Sequence, residues 1–287
     1  MSSSIPGFGW SENLKKFFRN RNFSIGFVIS SIIIAGALIS LVYTPYDPTS
    51  MNIRHRLEGP SQAHWLGTDH YGRDVFSRIM QGAVNSIVVG LVAVSIGMSI
   101  GVLLGSLAGY YRGILDEVVM RVSDLLYGFP AVLSAILITS VFGPGIVNSM
   151  VAIGIFYVPI FARLTRASSL SVWELDYITA ARAAGRSDFS TTFRHVLPNI
   201  LAPLIVQGTV QFAVAILAEA GLSYLGLGTQ PPKASWGQML QEAQTFMGSS
   251  PGLAIFPGLA IGLAVLGFNL LGDGLRDTLD PKMTPAR

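Results

Sequence analysis

The stretch VNSIVVGLVAVSIGMSIGVLLGSLAG, residues 84–109, contains no Asp, Glu, Lys or Arg. A water-facing helix carries charged residues along one face, and this stretch has no charge to place there. An α-helix rises about 1.5 Å per residue, so a run of this length crosses a hydrocarbon core of ~30 Å. The whole chain has the same character: 51% hydrophobic residues and only 12% charged, with mean hydropathy +0.53. Soluble domains carry roughly 25% charged residues, so a water-facing globule is excluded. The 287 residues divide instead into apolar spans and their loops.

Working outward from 84–109, a first span covers Phe23–Tyr43, a third Leu125–Phe142 and a fourth Ile146–Ala162. Gly143-Pro144-Gly145 is the turn between the last two. A fifth span covers Ile200–Leu222 and a sixth Gly252–Gly272. The polar segments are an N-terminal tail at 1–22, an outer loop at 44–83, a loop at 163–199 and a tail at 273–287. Residues 84–272 therefore form the transmembrane core. The basic residues before Phe23 suggest a secretory signal, but signal h-regions are only about 7–15 residues long and end at small-residue sites. This run is longer and ends in Tyr43-Thr44-Pro45, so it reads as an uncleaved first span.

Positive charge sets the orientation. With the N-terminus inside, the cytoplasmic segments hold Lys15, Lys16, Arg19 and Arg21, then Arg112 and Arg121, then Arg163, Arg166, Arg182, Arg186 and Arg194, and finally Arg276, Lys282 and Arg287. Only Arg54, Arg56, Arg73, Arg78 and Lys233 remain outside, the first four beside Asp47, Glu58, Asp69 and Asp74. The expected class is an all-α polytopic membrane protein with six transmembrane helices, N-in and C-in. Within the second span, Gly97, Gly101, Gly105 and Gly109 recur every fourth residue. They form a smooth stripe for close helix approach, either within this chain or against a partner subunit.

The 163–199 loop has a pattern of its own. Ser171 and Glu174 match a capping box opening a helix, and Trp173, Tyr177, Ala180 and Ala184 then fall on one apolar face. Gly185 stands where a left-handed cap ends a helix. Ser187 and Asp188 start a second short helix, which Pro198 ends. Small alanines beside Arg182, Arg186 and Arg194 make a knob suited to a groove on a soluble partner, where arginines pair with carboxylates. A loop folded on this chain's own helices is the other reading.

The run Thr179-Ala180-Ala181-Arg182-Ala183-Ala184-Gly185, followed after nine residues by His195-Val196-Leu197-Pro198, resembles the signature loop of ABC-importer permeases. That pattern is Glu-Ala-Ala, three residues, Gly, nine residues, Ile, one residue, Leu-Pro. Ala180, Ala181, Gly185, Leu197 and Pro198 match in register, while Thr179 replaces the Glu and His195 the Ile. Two further stretches, Leu66-Gly67-Thr68-Asp69-His70-Tyr71-Gly72-Arg73-Asp74-Val75-Phe76-Ser77-Arg78 and Ala218-Glu219-Ala220-Gly221-Leu222-Ser223-Tyr224-Leu225-Gly226-Leu227-Gly228, resemble the dipeptide/oligopeptide/nickel group, specifically the second permease of its pair. The resemblance implies a type I ABC importer permease fold in the bacterial inner membrane, with a cytoplasmic coupling helix at Thr179, Ala180, Ala181, Arg182, Gly185, Arg186, Leu197 and Pro198. It implies a second, different permease, two cytoplasmic ATP-binding subunits and a periplasmic or lipid-anchored substrate-binding protein. ATP and Mg²⁺ then belong to the partner subunits, and this chain needs no cofactor. Dipeptides or oligopeptides are the implied substrates, with nickel, glutathione or another small solute as alternatives.

Glu219 is the one carboxylate well inside an apolar span; such groups face a cavity or a partner, so it is a candidate for gating or for a structural hydrogen-bond role. Asp69, Arg73 and Asp74 either fix the outer loop as an ion-pair network or form part of the docking surface for a binding protein. His64 and His70 lack carboxylate or thiolate support at metal-ligand spacing, and a metal site is rejected. Asp116, Glu117 and Asp124 read as a solvated turn and helix start. Walker A and Gly-x-Ser-x-Gly patterns are absent, so the chain itself reads as a permease without ATPase or catalytic residues. Cysteine is absent, which removes disulfides and thiolate sites. The dispersed basic residues give no nucleic-acid patch. An ion-gradient transporter would need more intramembrane ionisable groups and matching interrupted helices in two halves.

Overall fold

The computed structural model describes residues 17–279. The long helices are α1 (Arg21–Ser40), α2 (Val75–Tyr111), α3 (Gly113–Gly128), α4 (Ala131–Phe142), α5 (Ile146–Trp173), α8 (Leu197–Tyr224) and α10 (Gly252–Leu279). Shorter helices α6 (Asp176–Ala183), α7 (Asp188–Thr191) and α9 (Trp236–Ala243) lie in the connections. The helices alternate in direction, which defines two ends of the molecule. At the near end, the Asn20 amide donates to Asp277 (3.2 Å) and the Tyr110 hydroxyl to Asp188. At the far end, the Gly145 N–H donates to the Leu227 carbonyl (3.1 Å) and Arg73 meets Glu242.

Five helices, α1, α2, α5, α8 with its preceding turn, and α10, are long and apolar enough to cross a membrane. The sixth span is broken: α3 and α4 meet at 87°. Proline at 130 causes the break. It excludes the helical conformation from the residue before it, and Phe129 is accordingly extended at φ −91°, ψ 133°. The expected straight span Leu125–Phe142 is corrected to a bent one, whose residues 125–128 belong to α3 and whose remainder after the break is α4. Asp116 and Asp124 on α3 are not merely a solvated turn. Arg166 of α5 grips Asp116 through two N–H groups, and Arg163 holds Asp124 at 2.5 Å.

The expected loop boundaries also shift. The outer loop ends at Asp74, whose carboxylate caps α2 by accepting from the Ser77 N–H (2.8 Å), so 75–83 is helical. Residues 163–173 continue α5 and 197–199 open α8, confining the near-end loop to 174–196. Residues 273–279 prolong α10. The Ser171–Glu174 capping box is not formed, because both residues belong to the end of α5, where Glu174 is the C-cap. Helix α6 opens after Leu175 instead. Nor does Pro198 end a helix: it sits in the first turn of α8. A π turn at 192–196, closed by the Leu197 N–H on the Thr192 carbonyl, carries α7 into α8. Its wider register accommodates the ring and missing N–H of Pro198. Lys15, Lys16, Lys282 and Arg287 lie outside the described residues.

The α2–α5 pair is the most extensive contact, and the glycine stripe makes it. Gly97 lies on Tyr157, Gly101 on Val158 and Phe161, Gly105 on Ala162 and Thr165, and Gly109 on Ser169. A Cβ on Gly101 would stand 2.6 Å from the Phe161 Cβ and 2.7 Å from the Val158 carbonyl oxygen. The stripe is therefore a seam inside this chain, not one reserved for a partner. One core cluster forms around it from α2, α4, α5 and α8, including Val89, Ile153, Phe161, Leu204 and Leu222. A second joins α1, the start of α2, α8, α9 and α10 around Trp236, Ile216 and Phe268. Leu103, Leu137, Leu217 and Leu259 remain exposed at mid-helix, as expected where the surroundings are lipid or another apolar helix.

Candidate functional site

The near-end loop is the first site. After α5 stops at Trp173, α6 runs for two turns and ends at Gly185, whose φ of +79° is the left-handed conformation that costs glycine nothing. The Arg186 N–H donates to the Ala181 carbonyl across this turn (3.3 Å). Only Ile178 of α6 is buried, anchoring the helix to the body. Thr179, Ala180, Ala183 and Ala184 are exposed, as are Arg182, Arg186, Arg194 and Pro198, whereas Ala181 and Leu197 are half-buried. The expected apolar face through Trp173 is not a single helix face, since Trp173 belongs to α5 and Ile178 does the anchoring. Arg182 is not entirely free. Its Nε lies 3.1 Å from Asp188 Oδ1, and its guanidinium stands 5.8 Å from the Trp173 ring. Arg186 instead approaches His195 (3.3 Å).

Glu219 is the second. It is fully buried in α8, where an isolated carboxylate is costly unless hydrogen-bonded. The Ser223 hydroxyl donates to Oε1 (2.6 Å), the Thr229 hydroxyl reaches the same oxygen (3.5 Å), and the Ser86 hydroxyl of α2 donates to Oε2 (2.9 Å). Ser223 also accepts from the Thr229 N–H (3.0 Å). The carboxylate thus ties α8, α2 and the segment returning to α9 together. That segment is held independently: Asn85 donates to the Ala234 carbonyl (2.6 Å) and the Trp236 indole to the Ile79 carbonyl (3.0 Å).

The third lies at the far end. Arg73 and Arg78 are both buried to 1% exposure and share two carboxylates. Asp69 Oδ2 lies 2.6 Å from Arg73 Nε and 3.3 Å from Arg78 Nη1. Glu242 Oε2 lies 2.8 Å from Arg73 Nη2 and 3.0 Å from Arg78 Nη2. Two cations and two anions balance, as buried charge requires. Asp74 stands aside from this cluster, engaged with Ser77 and with His64 Nδ1 (2.9 Å). Asp69, His70 and Glu242 bring ligand-type atoms within 4.8 Å of one another, but the two guanidiniums already occupy both carboxylates and would repel a divalent ion. His70 stacks on Phe246; burial pushes its pKa below the usual imidazole range, opposed in part by Asp69 and Glu242. Sequence reading passed over Glu242, although it is the one acid between Ser223 and Pro251. That isolation was the available signal.

Residues 101–285 match the family described as "Binding-protein-dependent transport system inner membrane component", and residues 10–60 match the N-terminal TM domain of oligopeptide transport permease C. The chain belongs to this permease family. The dipeptide transport system permease protein DppC of Alkalihalophilus pseudofirmus is 44% identical over 96% of this chain and 90% of its own length. The glutathione transport system permease proteins GsiD of Pectobacterium atrosepticum and of Escherichia coli O157:H7 are 46% and 44% identical, over 96% of this chain and 91% of theirs. Among solved structures, an inward-facing conformation of the MetNI methionine ABC transporter superposes with TM-score 0.60 at 17% identity, covering 70% of this chain and 96% of that one. The permease is therefore a multi-pass protein of the bacterial inner membrane with the type I ABC importer fold. Such a permease is a non-catalytic subunit that works with ATPase and substrate-binding subunits.

Proposed function

We propose that this permease is one of two different permease subunits in an importer of short peptides, docking an ATPase subunit on α6. The exposed alanines of α6 with the Gly185 turn carry the reading: a two-turn helix whose one buried residue is Ile178 presents small residues to which a soluble groove can come close. Thr179, Ala180, Ala181, Arg182, Gly185 and Arg186 form the contact, and Leu197 and Pro198 connect it to α8. ATP, with Mg²⁺, is bound and hydrolysed on the partner subunits. Closure of the ATPases displaces α6, and the long helices convert that displacement into alternating access. The buried cluster of Asp69, Arg73, Arg78 and Glu242, with Asp74 beside it, stiffens the outer face on which a binding protein seats.

The relatives named for dipeptide and glutathione transport support a substrate with a peptide backbone and free charged termini. Glutathione itself is the second reading, favoured by the slightly higher identity to a glutathione permease. The test is uptake in liposomes holding the full importer, with a labelled dipeptide competed by oligopeptides, glutathione and a nickel chelate. Peptide uptake blocked by peptides alone is expected; competition only by nickel would overturn the peptide assignment. Ala183→Glu puts a bulky anion on the docking face, and we expect ATPase co-purification to fall about tenfold or more, as for a buried unpaired charge. Undiminished co-purification and transport would refute the docking site.

A further inference from the structure

Asp188 opens α7, where Ser187 caps by accepting from the Ser190 N–H (3.3 Å). Its carboxylate is used on both sides: Oδ1 meets Arg182 Nε at the end of α6 (3.1 Å), and Oδ2 accepts from the Tyr110 hydroxyl at the end of α2 (2.6 Å). Trp173, ending α5, closes the ring, with its indole 5.7 Å from Tyr110 and 5.8 Å from the Arg182 guanidinium. Four elements thus meet through four side chains.

Little else joins α7 to α2. Helix α7 packs on the π turn and on α6. Toward α2 lies an open groove of about 570 Å³, lined by residues including Ser106, Leu107, Tyr110, Asp188, Phe189 and Phe193. A half-exposed ion pair adds little to static stability, and within this chain few direct contacts join α7 to α2. What remains is directional: among the described residues the carboxylate is the one polar link by which a shift of α6 is felt at α2, the helix whose glycine seam locks it to α5.

We propose that Asp188 is a positioning residue for coupling, gripping Arg182 and Tyr110 together so that displacement of α6 moves α2 and α5 as a unit. This rests on α6 being the ATPase-docking helix, and the test separates the two ideas. The full importer, with its ATPases, second permease and binding protein, is reconstituted in liposomes, and substrate imported per ATP hydrolysed is measured alongside the amount of ATPase bound. Asp188→Asn keeps an acceptor for Tyr110 but loses the charge facing Arg182; Tyr110→Phe removes only the hydroxyl. We expect full ATPase binding with import per ATP reduced about tenfold in the first and about threefold in the second, the range of coupling energies carried by such links. In the double variant the losses should be less than multiplicative, since both act through one link.

A wild-type import ratio in Asp188→Asn or in Tyr110→Phe, with ATPases bound, overturns the proposal. So does a loss confined to the amount of assembled complex, which is what a merely structural role would produce. Failure of the docking reading looks different: Ala183→Glu would then leave ATPase binding intact.

Discussion

Glu219 shows how burial decides what a charged residue can do. The sequence places it inside an apolar span, where a structural hydrogen-bond role leads and gating is the alternative. Three hydroxyls converge on it, from Ser86, Ser223 and Thr229, and it reads best as a pin for the far end of α8. Glu219→Gln keeps a carbonyl oxygen for two of these donors, and the serine hydroxyls can rotate to accept from the new amide. We expect near-normal assembly and uptake. Glu219→Ala leaves the hydroxyls unpaired at a cost of about 1–3 kcal/mol each, so the melting temperature of the detergent-purified permease should drop clearly. Loss of uptake in a well-assembled Gln variant would instead give the charge a transport role. Arg182 teaches the complementary lesson: sequence suggested a free cation, whereas Asp188 and Trp173 already engage it.

At the scale of elements, the α2–α5 seam is the strongest feature. Its four glycines are visible in the sequence, but the helix they meet is not, because periodicity reports a face and not its partner. With Gly101 lying directly on Val158 and Phe161, even a methyl group forces the helices apart. Gly101→Ala should lower stability by about 1–3 kcal/mol, the usual cost of overpacking, and Gly101→Leu should abolish assembly, read as aggregation on size-exclusion chromatography. A folded Gly101→Leu protein would mean that the seam opens freely. The π turn and the break at Pro130 were harder to foresee. Proline was legible at both places, but it kinks, caps or interrupts a helix according to what can take over the lost hydrogen bond.

For the whole molecule, helix direction and charge support one sidedness. Residues 174–196 share the near end with Arg112, Arg121 and Arg276, while the Asp69–Arg73–Arg78–Glu242 cluster closes the far end. The unusual basicity of the outer loop has its explanation there: Arg73 and Arg78 are buried against carboxylates and present no free positive charge to the surface. Because the chain contains no cysteine, any introduced thiol is unique. Gln62→Cys should react with a membrane-impermeant maleimide in intact spheroplasts, and Ser187→Cys only after permeabilisation. The reverse pattern would invert the topology and remove α6 from the ATPase side.

The sequence by itself determined the class of solvent, the presence of long apolar runs, the glycine seam's spacing and the loop pattern that marks the family. These follow from local composition and register, which need no knowledge of neighbours. Tertiary structure decided what each feature faces: the seam closes on α5, Glu219 on three hydroxyls, the outer-loop arginines on Glu242, and Asp188 on two helices at once. The physical reason is separation along the chain. Tyr110 and Asp188, or Arg73 and Glu242, become partners only when packed helices bring distant segments together, and a buried charge takes its meaning from the groups that replace its water.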